Sequence, residues 1–169
     1  MSGLVTSSTN SGMRQVVDWS AALWAGLFAG LAFLLINVAG IPYVDGGNSW
    51  MVVRYVASLV LGDGVLVPAT ANMGILAVAV IVNFVMAVAY ASILAIIIHR
   101  GGLIMGIILG AIFGFALYLI NMGAFTILYP WFEVLYSQVF IASHIIFGAL
   151  AGAIYEALEV EEFVPIEAE

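Results

Sequence analysis

Four long apolar runs, almost free of charge, constrain this chain more than any other feature. They extend from about Trp19 to Ile41, Met73 to Ile98, Leu103 to Leu128 and Val134 to Leu158. Each exceeds the roughly 20 residues that a helix needs to cross a bilayer core. In lipid the backbone must satisfy its own polar groups, so runs of this kind fold as helices. Composition agrees: 65% of the 169 residues are hydrophobic, 8% are charged, and the mean hydropathy is +1.22. A soluble domain of this size does not carry so little charge. The expected fold class is therefore all-α, a polytopic membrane protein with four transmembrane helices.

Local signals place the boundaries. Asp18 reads as an N-cap, and Pro42 with Asp45-Gly46-Gly47-Asn48 is expected to end the first span. That span is too long for a signal-peptide core and lacks an A-x-A-like site after it, so it reads as retained. His99-Arg100-Gly101-Gly102 makes a short link that forces an antiparallel return, and Pro130 marks the next turn. Within 41–72, NSWMVVRYVASLVLG is too short to cross and reads as an interfacial or re-entrant helix in the first outer loop. Its Ser49, Arg54 and Ser58 fall near one stripe. Residues 1–16 are expected to be a flexible polar N-terminus, 17–158 the transmembrane domain, and 159–169 an acidic C-terminal tail.

A duplication lies inside the apolar runs. Gly26, Gly30, Ala32, Leu35, Ile36 and Asn37 match Gly110, Gly114, Ala116, Leu119, Ile120 and Asn121 at a constant offset of 84. More faintly, Asn83, Ala87 and Ala91 match His144, Gly148 and Gly152 at an offset of 61. The spans thus read as two parallel-repeat hairpins, about 17–99 and 101–158, related by an axis along the membrane normal. The first hairpin carries the longer outer loop. Small-residue stripes give the packing surfaces: Gly26 and Gly30 on the first span, Gly102, Gly106, Gly110 and Gly114 on the third, Gly148 and Gly152 on the fourth. Lipid offers no hydrophobic drive for helix association, so close approach through such stripes supplies much of the contact energy.

Charge sets an orientation. Arg14 and Arg100 lie on one side and Arg54 on the other, which by the positive-inside rule puts both termini in the cytoplasm. Tyr43, Trp50, Tyr55, Tyr129, Trp131 and Tyr136 then mark the outer interface, and Trp19, Trp24 and Tyr155 the inner one. Six of the ten acids, Glu156, Glu159, Glu161, Glu162, Glu167 and Glu169, follow residue 155. They read as a solvated tail, or as a docking strip for a basic partner. With no lysine and three arginines, a nucleic-acid partner has no electrostatic footprint.

Chemistry-bearing groups are few. The absence of cysteine excludes disulfides, thiolate metal sites and covalent c-type haem. The methionines lack an M-x-x-M pattern, and no metal site is expected. No Ser–His–acid constellation is present, so the expectation is a protein that is not an enzyme. Asn37, Asn83, Asn121 and His144 fall at matching depth in the outer half and form a candidate intramembrane polar cluster. Two readings stand side by side: interhelical glue worth about 0.6 to 2 kcal/mol per group, or a polar vestibule for a solute, ion or cofactor group. The second histidine, His99, lies roughly 24 Å along the helix from Asn83, so one chain does not supply a bis-His haem site.

Two stretches, DWSAALWAGLFAGLAFLLINVAGIP and SHIIFGALAGAIYE, carry a resemblance. They are similar to the opening and closing helices of small, uncharacterised prokaryotic four-helix integral membrane proteins. The resemblance implies the same size and helix number and a place in the prokaryotic cell membrane, and brings no activity with it. Asn83 stands where such proteins often carry histidine, a departure that removes support for a paired-histidine role.

Three functional expectations follow. The first is a non-enzymatic accessory or scaffolding subunit of a larger membrane complex, such as a respiratory or other energy-converting assembly. Its partners would be lipids and other integral subunits. The second is a small homo-oligomeric channel or transporter using the Asn/His cluster. The third is a subunit associated with haem or quinone.

Overall fold

In a computed structural model, residues 13–165 are described. Four helices are long and apolar enough to cross a membrane: α1 (Trp19–Val44), α3 (Met73–Ile98), α4 (Leu103–Leu128) and α5 (Gln138–Leu158). A shorter helix, α2 (Ser49–Leu61), lies between α1 and α3. Each of α1, α2, α3 and α5 begins at a side-chain cap. Asp18, Asn48, Asn72 and Ser137 respectively accept from backbone N–H groups of the first turn, which otherwise lack partners.

The boundaries of α3 and α4 coincide with the apolar runs, and those of α1 and α5 differ. Helix α1 continues through Pro42 to Val44. Pro42 forfeits one backbone donor within the last turn, too near the end to break the helix. The stop comes from Gly46 and Gly47, at φ +87° and +98°, a conformation open to glycine. Helix α5 starts later than Val134, because Pro130–Leu135 winds into a 3-10 turn and Ser137 then caps the helix.

The chain is not purely helical. Met13–Val16 (β1) and Glu162–Pro165 (β2) pair as an antiparallel ribbon, with Arg14 opposite Val164. Residues 13–16 thus form a strand, and Glu161 and Glu162 at its partner are solvent-exposed. Residues 1–12 and the acids Glu167 and Glu169 lie outside the described residues. The ribbon holds the start of α1 and the end of α5 at one end of the bundle. Asp18 reinforces the junction: its carboxylate caps α1 and also accepts from Val160 N at 3.1 Å. Tyr155, expected as a membrane-interface anchor, is buried instead; its hydroxyl accepts from Asp18 N and donates to Glu159 Oε1.

Small residues set the helix pairing. Gly26 and Gly30 of α1 press on Ala87 and Val88 of α3. Gly106, Gly110 and Gly114 of α4 lie against the backbone of Gly152, Gly148 and His144 of α5, so closely that an added Cβ would strike the opposing carbonyls. Gly102 departs from the stripe: it lies outside α4 at φ +73°, with nothing near its missing Cβ. Helix α5 also packs on α1, whereas α3 and α4 barely touch. A strict two-fold would make the α3–α4 contact equal to that of α1 with α5. Helix α2, which the second hairpin lacks, packs on α3 and α1. The interior is filled unevenly in consequence. Toward the ribbon it is solid, built of Ala21, Ala25, Ala95, Leu94, Ile98 and Tyr155. Toward α2 it is not.

Candidate functional site

The unfilled space is a cavity of about 80 Å³ near the α2 end. Its floor is Ala87, Leu117 and Phe147, and its roof is Val52, Val56 and Leu59 of α2 with Phe132 and Leu135 of the 3-10 turn. Asn37, Asn83, Asn121 and His144 all border it. The four residues singled out by sequence position therefore meet around one space. They do so because each lies two to three turns in from the α2 end of its helix, about 10 to 15 Å.

Two hydrogen-bond systems tie them down. In the first, His144 Nδ1 lies 2.7 Å from the Phe140 carbonyl. A carbonyl only accepts, so Nδ1 carries the proton, and in the neutral ring Nε2 is an acceptor. Asn121 Nδ2, 3.2 Å away, donates to Nε2. This turns Asn121 Oδ1 toward Tyr90, whose hydroxyl donates to it at 3.0 Å. Tyr90, Asn121 and His144 thus form a one-way chain ending on the α5 backbone. In the second system, Asn37 Nδ2 donates to Phe33 O at 2.8 Å, and its Oδ1 lies 3.2 Å from the Ser143 hydroxyl. The His144 ring is boxed edge-to-face by Phe33, Tyr118 and Phe140 at centroid distances of 4.9, 5.7 and 4.5 Å.

Asn83 is used differently. Its Nδ2 donates to Gly30 O across the α1–α3 contact at 3.0 Å, which fixes the amide orientation. Its Oδ1 accepts from no group among the described residues. The only fully enclosed side-chain oxygen without a partner among them is Glu156 Oε1, so the oxygen of Asn83, a residue that lines the cavity, is not fully enclosed.

The cavity shares a wall with a second space. Leu59, Met86, Tyr90 and Phe125 border both the cavity and an apolar groove of about 530 Å³ that runs between α3 and α4 beneath α2. Ile81 and Val85 on the rim of that groove are 63% and 65% exposed, the face that meets hydrocarbon if these helices span a bilayer. The gap exists because α3 and α4 lack the glycine contacts that close α4 on α5.

Tyr90 and Ser143 are members of the cluster that sequence reasoning missed. Tyr90 follows Asn83 by two helical turns and so shares its face, and Ser143 adjoins His144; those spacings were the available signals. Helix side chains lean toward the N-terminus, which lets the Tyr90 hydroxyl reach the level of Asn121.

Arg54 lies outside the cluster. It is 5% exposed and donates from Nε and Nη2 to Thr70 O and from Nη1 to Val65 O, clamping the segment between α2 and α3. Ser58 is buried beside it and Ser49 is exposed, so the expected stripe divides between interior and surface. No group of three or more metal-ligating His, Cys, Asp or Glu side chains occurs among the described residues. Comparison with known proteins finds no matching family model, no matching curated protein and no matching solved structure.

Proposed function

We propose that this protein is a non-enzymatic membrane subunit that takes up a lipophilic molecule through the gap between α3 and α4. The observation that carries the reading is that an interior cavity and a lateral apolar groove lie side by side, sharing Leu59, Met86, Tyr90 and Phe125 as their common wall. The cavity walls are overwhelmingly apolar, and the few polar side chains among them are already tied to one another or to the backbone by at least one hydrogen bond each. Such a space disfavours water and ions and suits an alkyl or isoprenoid chain. A volume of about 80 Å³ favours a chain or a small ring over a macrocycle such as haem. Quinone-type molecules fall within this class.

Two other expectations would need different surfaces. The glycine stripes of α4 and α5 face each other, so they do not serve as surfaces for partner subunits. Packing toward the ribbon is solid among the described residues, so a homo-oligomeric conduit would run between chains and not through one. A role within a larger complex is compatible with the binding reading and rests on the helix faces left to lipid. In the arrangement we favour, the hairpins are parallel repeats of a prokaryotic cell-membrane protein. The ribbon faces the cytoplasm and the cavity lies in the outer half of the bilayer.

The test is chemical. Protein extracted in mild detergent should carry a lipophilic molecule in stoichiometric amount, identified by solvent extraction and mass spectrometry. Met86→Trp, which fills the junction of cavity and groove, should lose that molecule while its thermal unfolding stays that of the unmodified protein. Extracted protein that neither carries nor takes up any such molecule would refute the reading.

A further inference from the structure

One polar contact crosses the wall between cavity and groove, and from it we infer that Tyr90 is a door, a ring that shuts the cavity off from the groove and swings aside to admit or release a lipophilic molecule. This inference rests on the lipophilic-ligand reading above and adds to it the step that controls exchange.

The four side chains of that wall, Leu59, Met86, Tyr90 and Phe125, are all half-buried. Two are pinned by their surroundings. Phe125 packs edge-to-face on Tyr129 and Phe132 at centroid distances of 6.1 and 6.0 Å. Leu59 belongs to α2, where its carbonyl accepts from the Tyr129 hydroxyl at 3.3 Å and the adjacent Ser58 Oγ accepts from Trp131 Nε1 at 3.0 Å. The other two stand one turn apart on α3. Met86 is unbranched and flexible. Tyr90 is tethered at its tip, where the hydroxyl donates to Asn121 Oδ1 of α4 at 3.0 Å. Among the described residues, no other hydrogen bond joins α3 to α4. The acceptor is held in place, because Asn121 cannot turn its oxygen away without losing the bond from its Nδ2 to His144 Nε2. Once the Tyr90 bond breaks, the ring can move between the two χ1 wells that a helix leaves to an aromatic side chain, with no shift of the backbone. The groove, about 530 Å³, gives it space on the outer side. A guest leaving the closed cavity meets the same latch as a guest arriving. The bond therefore slows entry and release by one common factor.

The test uses the full chain in phosphatidylcholine nanodiscs, mixed with a diazirine-bearing alkane, flashed after set delays and mapped by peptide mass spectrometry. Leu117 and Phe147 border the cavity but not the groove, and Ile81 and Val85 the groove but not the cavity. In the unmodified protein, label at the cavity pair should lag behind label at the groove pair. Tyr90→Phe keeps the ring and removes the latch. Cavity label should then rise about five times faster, and fall about five times faster on adding excess unlabelled alkane, the effect of one neutral hydrogen bond. Asn121→Leu removes the latch from the α4 side and should hasten both by the same factor, with the double variant no faster. Cavity label that keeps pace with groove label in the unmodified protein overturns the door and leaves the cavity reading standing. So does Tyr90→Phe with unchanged rates, or with faster release and no faster entry, the signature of a weakened site. Absence of saturable label at both Leu117 and Phe147 overturns door and cavity reading together. Because the lag is read on the unmodified chain, it decides whether or not the variants fold.

Discussion

Gly110→Ala probes the tight glycine seam between α4 and α5. A Cβ at position 110 would clash with the Gly148 carbonyl oxygen and approach its carbon to 2.9 Å, a distance that carbon contacts do not reach. Neither partner is the end of a flexible side chain, so the strain cannot be relieved by a rotamer. Helices α4 and α5 must separate, and with them the contacts of Gly106 with Gly152 and of Gly114 with His144. Overpacking of this kind costs about 1–3 kcal/mol. Loss of backbone Cα–H···O contacts along the stripe adds about 0.5–1 kcal/mol each. We expect destabilisation of about 3 kcal/mol, a shift of more than a hundredfold in the folding equilibrium. The control lies on the same helix: Gly123 has nothing within 4 Å of its missing Cβ. Gly123→Ala should be neutral or stabilising by up to about 1 kcal/mol, from helix propensity alone. Unfolding in mixed micelles of increasing SDS, followed by tryptophan fluorescence, reads both variants. Equal effects, or a neutral Gly110→Ala, would show that α4 and α5 do not meet through their glycines.

Further outcomes follow from the capping and polar groups. Asp18→Ala removes the cap of α1 and the anchor of Val160 and should cost about 1 kcal/mol, read by the same titration. The Ala21, Val160 and Ser20 backbone N–H groups hold the Asp18 carboxyl below its usual 3.8, against a smaller opposing effect of burial. A depressed folded value stabilises above the unfolded pKa, so this contribution should be present at neutral pH and fade as pH falls below about 4; it should be missing from Asp18→Asn. Arg54→Met strands the Val65 and Thr70 carbonyls and should speed proteolysis between residues 62 and 72. Arg54→Lys should rescue only in part, since an ammonium does not reproduce the planar fork. His144→Phe and Asn121→Leu should each cost about 0.6 to 2 kcal/mol, and the double variant less than their sum, because the two side chains share one bond.

Much of the helical frame was legible because hydropathy and length act through the solvent, irrespective of what each helix packs on. Met73–Ile98 and Leu103–Leu128 could be read to the residue for that reason. Pro42 misled because its effect depends on the turn it occupies, and the two glycines beyond it stop the helix in its place. The terminal ribbon was invisible: MRQV and EFVP are too short and too far apart for a pattern to link them, and only the bundle brings them together. Depth alone placed Asn37, Asn83, Asn121 and His144 on one level. Which of them faces a neighbour and which a void depends on how far apart α3 and α4 stand. That distance follows from the absence of glycine-to-backbone contacts between α3 and α4, which is a property of the pair and not of either helix alone.

The proposed function requires that the apolar groove between α3 and α4 admit a molecule from lipid. The direct measurement is photolabelling of the full chain in bilayers with an apolar diazirine-bearing alkane, followed by peptide mapping. Saturable label on Met86, Tyr90 and Phe125, competed by excess unlabelled alkane and lost in Met86→Trp except for diffuse surface reaction, is the predicted result. Label confined to lipid-facing side chains such as Ile104 and Ile112, with none at Met86, Tyr90 or Phe125, would contradict it.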